Sequence, residues 1–102
     1  MYESLKPWLN IPAKILPFVK RTGTGSKEFG EAFDIKCYIL GESEVVKDQD
    51  GKEVVSNTQV YVNGLTTVTV MDRIVLDDGE HDIIKISAFY RDGKPDIKVV
   101  YL

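Results

Sequence analysis

The residues best suited to nucleophilic catalysis are the single cysteine, Cys37, and the single histidine, His81. A catalytic thiolate needs an activating base beside it, so these two residues would have to meet in the fold. Cys37 lies in an alternating segment that places it on an apolar strand face, whereas His81 stands between Glu80 and Asp82 in a distant acidic segment. We therefore predict that Cys37 is a buried hydrophobic residue and that His81 is an ordinary surface histidine.

Two short motifs resemble ligand-binding loops but lack the spacing that such loops require. The segment Asp48-Gln49-Asp50-Gly51 opens like an EF-hand, but its glycine stands at position 4 instead of 6. The segment TGTGSK, residues 22–27, lacks the GxxxxGK[ST] spacing, and no helical pattern follows it. The remaining acidic residues fall in turn motifs instead of facing each other across a cleft. The sequence thus predicts no enzyme, no cofactor and no metal site.

Length and composition indicate one ordinary globular domain of 102 residues with 43% hydrophobic and 28% charged residues. The formal net charge is −3, and lysine and arginine are scattered among the acids, which disfavours a protein whose main task is to grip nucleic acid. A single cysteine excludes an internal disulfide. No apolar run approaches a membrane span and no signal-peptide pattern is present, so we expect a cytosolic protein without a membrane partner.

Six short alternating segments must position any functional residue, and they predict an all-β fold. They are residues 14–21, 31–40, 54–62, 72–76, 81–90 and 96–102, separated by turn signals such as Asn63-Gly64 and Asp78-Gly79. Pro17 makes the first segment an edge strand or a bulged strand. The segment 81–90 is apolar on both faces, which predicts a central strand or a subunit interface. Residues 65–70 fit either a strand or an extended linker.

The predicted architecture is a small antiparallel β-barrel of about six strands, residues 14–102, preceded by an N-terminal extension, residues 1–13. Pro7 and Pro12 prevent this extension from forming a continuous helix. It either packs over one end of the barrel or, through Trp8, anchors a partner subunit.

One segment, residues 41–58, projects from the predicted barrel as an arm. Asp50-Gly51 between two apolar–polar runs is a strong hairpin signal, because glycine accepts the positive φ of a tight turn. We expect one end of the arm to be tied into the sheet and its tip to lie in solvent. If residues 42–47 pair fully with residues 53–59, the arm is a stiff hairpin; otherwise it is a long loop.

The second half of the chain resembles a known family. The sequence pattern that carries the resemblance consists of DGKEVVS at 50–56, VYVNG at 60–64, DRIVL at 72–76, IIKI at 83–86 and VVYL at 99–102. This is similar to the small head-completion proteins of long-tailed bacteriophages and prophages, which are also called minor capsid, head–tail joining or stopper proteins. The similarity covers residues 14–102 and consists of turns, strands and length, without a catalytic signature.

The resemblance implies a structural protein without an active site, located in the virion and, during assembly, in the host cytoplasm. It implies a homo-oligomeric ring under the portal and adaptor proteins that closes the DNA-filled head and docks the tail. The free protein would be a monomer, and DNA in the channel would contact it only transiently and non-specifically. The gate of such a ring would be formed by Glu44, Val45, Val46, Lys47, Asp48, Gln49, Asp50, Gly51, Lys52 and Glu53.

Apart from the resemblance, the residue types predict a subunit interface at Trp8, in the extension outside the matched region, and at Phe89 and Tyr90, in the segment that is apolar on both faces. A mildly acidic protein suits a DNA conduit because it does not hold the phosphate backbone.

Two other functions remain open from the sequence. A small barrel of the OB or SH3-like kind could bind single-stranded nucleic acid, with Tyr38, Tyr61, Phe89 and Tyr90 as a stacking platform. A tail terminator in the same phage assembly would share the same strand pattern.

Overall fold

The computed structural model describes residues 9–25, 27–48 and 50–102. Over these residues the chain is all-β and contains no helix. The strands are β1 Ile11–Leu16, β2 Phe18–Arg21, β3 Lys27–Phe29, β4 Phe33–Leu40, β5 Glu44–Lys47, β6 Glu53–Ser56, β7 Gln59–Asn63, β8 Arg73–Leu76, β9 Gly79–Asp82, β10 Lys85–Arg91 and β11 Lys94–Tyr101. This confirms the predicted all-β class.

Seven strands form one antiparallel sheet in the order β10-β11-β7-β4-β1-β8-β9, curled into a half-barrel. The two edge strands, β9 and β10, are consecutive in the chain and only Ile83 and Ile84 separate them. Because every neighbouring pair is antiparallel, β9 and β10 run in the same direction. They therefore act as one bent strand that pairs with β8 before the bend and with β11 after it. This bend brings the two edges of the sheet together.

The prediction of one central strand over residues 81–90 was thus wrong in two respects. The segment is broken at Ile83 and Ile84, and both halves lie at edges of the sheet. The adjacent Ile83 and Ile84 interrupt the alternation at the bend, but two neighbouring apolar residues do not reveal that the strand changes partner. Ile83 is buried and Ile84 half-buried at the bend, which explains why both faces of the segment carry large apolar groups.

The predicted first strand, residues 14–21, is also divided. It begins earlier, at Ile11, and Pro17 separates β1 from β2, which forms a separate hairpin with β3. Residues 11–13 therefore belong to the sheet and not to an extension. Pro12 is tolerated because at its level β1 has a ladder partner on only one side, β4; pairing with β8 begins at Lys14.

The core lies on the concave side of the sheet. Its fully buried side chains come from five strands and are Ile15, Cys37, Val60, Val62, Ile74 and Val100. The segment 65–70 is a linker and not a strand, and its Val68 joins this core. Burial of about six aliphatic side chains, each worth roughly 1.5–3 kcal/mol, is the main stabilising contribution.

Asp72 connects the kink after Pro17 to the turn that precedes β8. It is 6% exposed, and each carboxylate oxygen accepts a backbone hydrogen bond. Oδ1 accepts from the Phe18 N–H at 2.7 Å and Oδ2 accepts from the Thr69 N–H at 2.8 Å. The carboxylate thus satisfies two N–H groups that no strand pairing serves, and it fixes the position of the β2–β3 hairpin on the barrel.

Gly64 permits a close approach of two backbone segments, and this gives a stability prediction. A Cβ atom at this position would lie 2.7 Å from the Asp96 nitrogen and 2.7 Å from the Pro95 carbonyl carbon. Because backbone atoms cannot move aside cheaply, we expect Gly64→Ala to lower the free energy of unfolding by roughly 3 kcal/mol. Urea denaturation measures this. Gly23→Ala, at a turn with nothing within 4 Å of the new Cβ, is the control and should change stability little.

Candidate functional site

The arm is a paired hairpin. Strands β5 and β6 pair in register, with Glu44 opposite Ser56, Val45 opposite Val55, Val46 opposite Val54 and Lys47 opposite Glu53. Residues 44–47 and 53–56 thus form a hairpin, whereas residues 42, 43 and 57–59 lie outside the β5–β6 pairing, so the predicted pairing is observed in part. The arm prolongs the β4–β7 ribbon, whose last pair is Leu40 and Gln59.

A bend separates the arm from the barrel. Three residues, 41–43, connect β4 to β5, whereas only Asn57 and Thr58 connect β6 to β7. One extra residue on one strand is the residue count of a β-bulge, which bends a ribbon and increases its twist. The bend explains why the β5–β6 pair is a sheet of its own and why the predicted strand over residues 54–62 is interrupted.

The two faces of the arm differ. On the inner face, Val46 and Ser56 are buried and Val54 is half-buried, and a shallow groove lined by Val54, Ile83 and Ile84 lies between the arm and the β9–β10 bend. On the outer face, Val45 and Val55 are 63% and 56% exposed, and the Lys47 and Glu53 pair is exposed beside them. The inner face therefore fixes the arm against the barrel, while the outer face presents two neighbouring valines to solvent.

The tip of the arm is a tight turn held by Asp48. Its Oδ1 accepts hydrogen bonds from the N–H groups of Asp50 at 2.9 Å and Lys52 at 3.0 Å. Gly51 has φ of 81°, as a tight turn requires. Asp50, Gly51 and Lys52 are exposed, as predicted for the tip, and Gln49 lies outside the described residues. The Asp48 carboxylate thus stabilises the turn, which accounts for this motif without a metal.

A buried polar cluster anchors the root of the arm to the end of β11. The Ser56 hydroxyl donates to the Leu102 carbonyl at 2.9 Å, and it also lies 3.1 Å from the Thr58 carbonyl. The Gln59 side-chain amide donates to the Glu42 carbonyl at 2.9 Å and to the Ser56 hydroxyl at 3.2 Å. Both side chains are almost fully buried. Because these bonds join β6 to the residue after β11 and the segment before β5 to β7, they hold the arm in one orientation.

The sequence reasoning did not identify this cluster. Serine, threonine and glutamine between two valine-rich runs were expected on a strand, without a structural role. One signal was available, since Ser56 lies two residues after Val54 and therefore on the same face of the strand. A buried hydroxyl at an inward position requires hydrogen-bond partners.

The predicted aromatic platform is only partly assembled. Tyr38 and Tyr61 are directly opposite each other and in edge-to-face contact, with ring centroids 6.1 Å apart. By register Phe89 lies on the same outer face of the sheet, whereas Tyr90 follows it and points to the other side. Burial, then the nearby phenol of Tyr101 and the carboxylates of the arm root, raise the pKa of Tyr61. The Tyr38–Tyr61 pair therefore lies close to negative charge, which disfavours the binding of nucleic acid to it.

The three predicted interface residues have different outcomes. Phe89 and Tyr90 are 53% and 66% exposed at the end of the edge strand β10. Trp8 lies outside the described residues. Exposure makes Phe89 and Tyr90 accessible to another molecule, and their use as an interface stays a prediction.

The candidate nucleophile and base do not meet. Cys37 is on β4 and His81 on β9, with β1 and β8 between them in the sheet. His81 is instead hydrogen-bonded to Asp78, at 2.7 Å from Nε2 to Oδ1, and this bond lowers the pKa of Asp78. Glu80 and Asp82 are salt-bridged to Arg73. Among the described residues, no three His, Cys, Asp or Glu side chains are grouped so as to hold a metal ion.

The thiol of Cys37 gives a second testable expectation. It is fully buried, and burial raises its pKa to about 11. Because the thiolate is the reactive form, we expect no alkylation of the folded protein by iodoacetamide at pH 8 and rapid alkylation in concentrated urea. Mass spectrometry of the two samples measures this. Rapid modification of the folded chain would show that Cys37 is accessible and ionised.

Comparison with protein families, curated proteins and solved structures finds no match to this chain. None of the described residues form a helix that is long and apolar enough to cross a membrane.

Proposed function

We propose that this chain is a structural head–tail connector, or stopper, of a tailed phage or prophage. Copies of it form a ring below the portal and adaptor proteins, close the DNA-filled head and present a docking face to the tail. The observation that carries this proposal is the arm, a hairpin whose root is hydrogen-bonded into the barrel and whose outer face and residues 50–52 at the tip are exposed.

The construction of the arm suits a gate better than it suits a ligand site. A gate must hold one orientation, and the Ser56–Gln59 cluster and the buried Val46 provide that at the root. A gate must also present a surface to other molecules, and the tip and the outer valines do so. An ordered segment that extends from a small domain in this way usually makes contacts outside the domain.

The negative charge of the arm favours passage of DNA through the ring and disfavours binding of DNA to it. Residues 42–53 contain five acidic and two basic residues, a net charge of −3, which equals the formal net charge of the whole chain. A ring of such arms would line its channel with negative charge. Phosphate groups would be repelled from this channel, so that DNA would pass without being bound.

The alternative of a single-stranded nucleic-acid-binding module has weaker support. Its favourable observation is the Tyr38–Tyr61 pair on the outer face of the sheet. The carboxylates of Glu42 and Glu44 act on Tyr61, however, and a phosphate backbone would have to approach them. We therefore place the connector first.

Deletion of the coding sequence from the phage or prophage that encodes the chain tests the proposal. After induction, electron microscopy of the lysate should show heads without tails beside free tails, and the infectious titre should fall by several orders of magnitude. A plasmid copy of the gene should restore joined particles. Normal tailed particles at the wild-type titre would contradict the proposal.

A further inference from the structure

Among the described residues, the arm and a second hairpin lie at opposite ends of the neighbouring strands β4, β7, β11 and β10. The arm leaves the sheet where Leu40, Gln59 and Tyr101 lie side by side. The second, here called the distal hairpin, comprises residues 88–98 and turns between Arg91 and Lys94. At about 3.4 Å per residue, the seven residues from Tyr101 to Lys94 place the two features roughly 24 Å apart.

The distal hairpin closes in a two-residue turn, and its edge strand is charged only at its two ends, Lys85 and Arg91. Asp92 and Gly93 have φ of 52° and 77°, the two positive values of a type I′ turn, which matches the twist of the strands. Its strand β10 is an edge strand, and residues 86–90, ISAFY, carry no charge. The opposite edge, β9, is shorter and protected by Glu80 and Asp82. Edges without protecting charges are the ones available for contact with another chain.

The two hairpins are complementary. The arm presents Val45 and Val55, and the distal hairpin presents Phe89 and Tyr90, all more than half exposed. The arm has a net charge of −3, whereas residues 88–98, with three basic and two acidic residues, have a net charge of +1. Opposite charge favours contact of the arm with a distal hairpin, and like charge disfavours contact of the arm with another arm.

We propose that the arm of one copy docks on the distal hairpin of the next copy, with Val45 and Val55 packed against Phe89, while Tyr90 lies by register on the opposite face of that hairpin. The two surfaces differ and lie at opposite ends, so the contact is heterologous and joins copies head to tail, in a ring when the rotation closes. The contact is small and therefore weak between free copies, and it gains strength when copies are held side by side. This deepens the proposed function and rests on it only in that copies of the chain assemble.

The test uses two variants of the purified chain, each with one surface altered. In the arm variant, Val45→Lys and Val55→Glu replace the valine pair by an opposite-charge pair across the hairpin, which preserves strand pairing. In the hairpin variant, Phe89→Glu and Tyr90→Glu remove the apolar groups and the positive charge. The control is Val19→Glu, a 58% exposed valine on β2. Circular dichroism and urea denaturation establish that each variant is folded.

Sedimentation velocity over a range of protein concentrations gives the result. The wild type and the Val19→Glu control should associate increasingly with concentration, and each of the two other variants should remain monomeric. An equal mixture of the two variants should form a dimer and nothing larger, because each variant retains one intact surface. A monomeric wild type at the highest soluble concentration, or a mixture that stays monomeric, would overturn the proposal.

The proposal would also be overturned if the arm variant alone were monomeric while the hairpin variant alone associated like the wild type. That result would indicate that the arm contacts another arm. All these outcomes are obtained without phage particles. They are therefore separate from the gene-deletion result, which tests whether particle assembly needs the chain.

Discussion

Replacing Asp72 by alanine is expected to lower the free energy of unfolding by roughly 3–5 kcal/mol, because two hydrogen bonds to a buried charged acceptor are lost. The N–H groups of Phe18 and Thr69 would remain in a partly buried region without their partner. Since a small domain is stable by only about 5–15 kcal/mol, the variant would be marginally folded at best. Equilibrium urea denaturation followed by tryptophan or tyrosine fluorescence measures the change.

Two further substitutions distinguish the effect of losing the buried Asp72 carboxylate from the effect of losing a negative charge elsewhere in the chain. Asp72→Asn retains an acceptor for one N–H group but not for both, so its loss of stability should fall between wild type and alanine. Asp77→Ala removes an exposed turn carboxylate and should be nearly neutral. An Asp72→Ala protein within about 1 kcal/mol of wild type would show that the carboxylate does not fix the β2–β3 hairpin.

Shortening the arm is expected to abolish function while sparing the fold. Replacing residues 47–53 by Asn-Gly closes the hairpin directly after the Val46–Val54 pair with a two-residue turn. The root cluster of Ser56 and Gln59 and the buried Val46 remain, so the free energy of unfolding should fall by only about 1 kcal/mol. Heads carrying this protein should lose their DNA or fail to join tails, and the infectious titre should fall at least a hundredfold.

The matched control is a change of similar kind at another exposed hairpin. Replacing residues 22–26 between β2 and β3 by Asn-Gly shortens a turn that the proposed gate does not use. DNA retained in purified heads, measured after nuclease treatment, distinguishes the two variants. Tail-joined particles with full DNA retention from the arm variant would remove the assignment of the gate.

The all-β class and part of the strand pattern were accessible from the sequence because both follow from period-two alternation and turn chemistry. Cys37 was predicted to be buried and is fully buried, and the turn signalled by Asp78-Gly79 separates β8 from β9 as expected. The bend at Ile83 and Ile84 was not accessible. Alternation records which face of a strand is apolar and carries no information about which neighbour the strand pairs with.

The buried polar groups were missed for a related reason. Asp72 resembles the turn aspartates of the chain, such as Asp48, Asp77 and Asp92, and only the fold shows that its two oxygens accept from the N–H groups of Phe18 and Thr69. Ser56 meets the Leu102 carbonyl across 46 residues of sequence and Gln59 meets the Glu42 carbonyl across 17, and no local pattern predicts those contacts. The anchor that gives the arm one orientation was therefore visible only in the folded chain.

The position of the chain in a purified particle tests the central claim most directly. Phage particles labelled with a gold-conjugated antibody against this chain and viewed by electron microscopy should carry gold at a single vertex, where the head meets the tail. Absence of the chain from purified particles, or label spread over the shell or along the tail, would contradict the assignment as a head–tail connector.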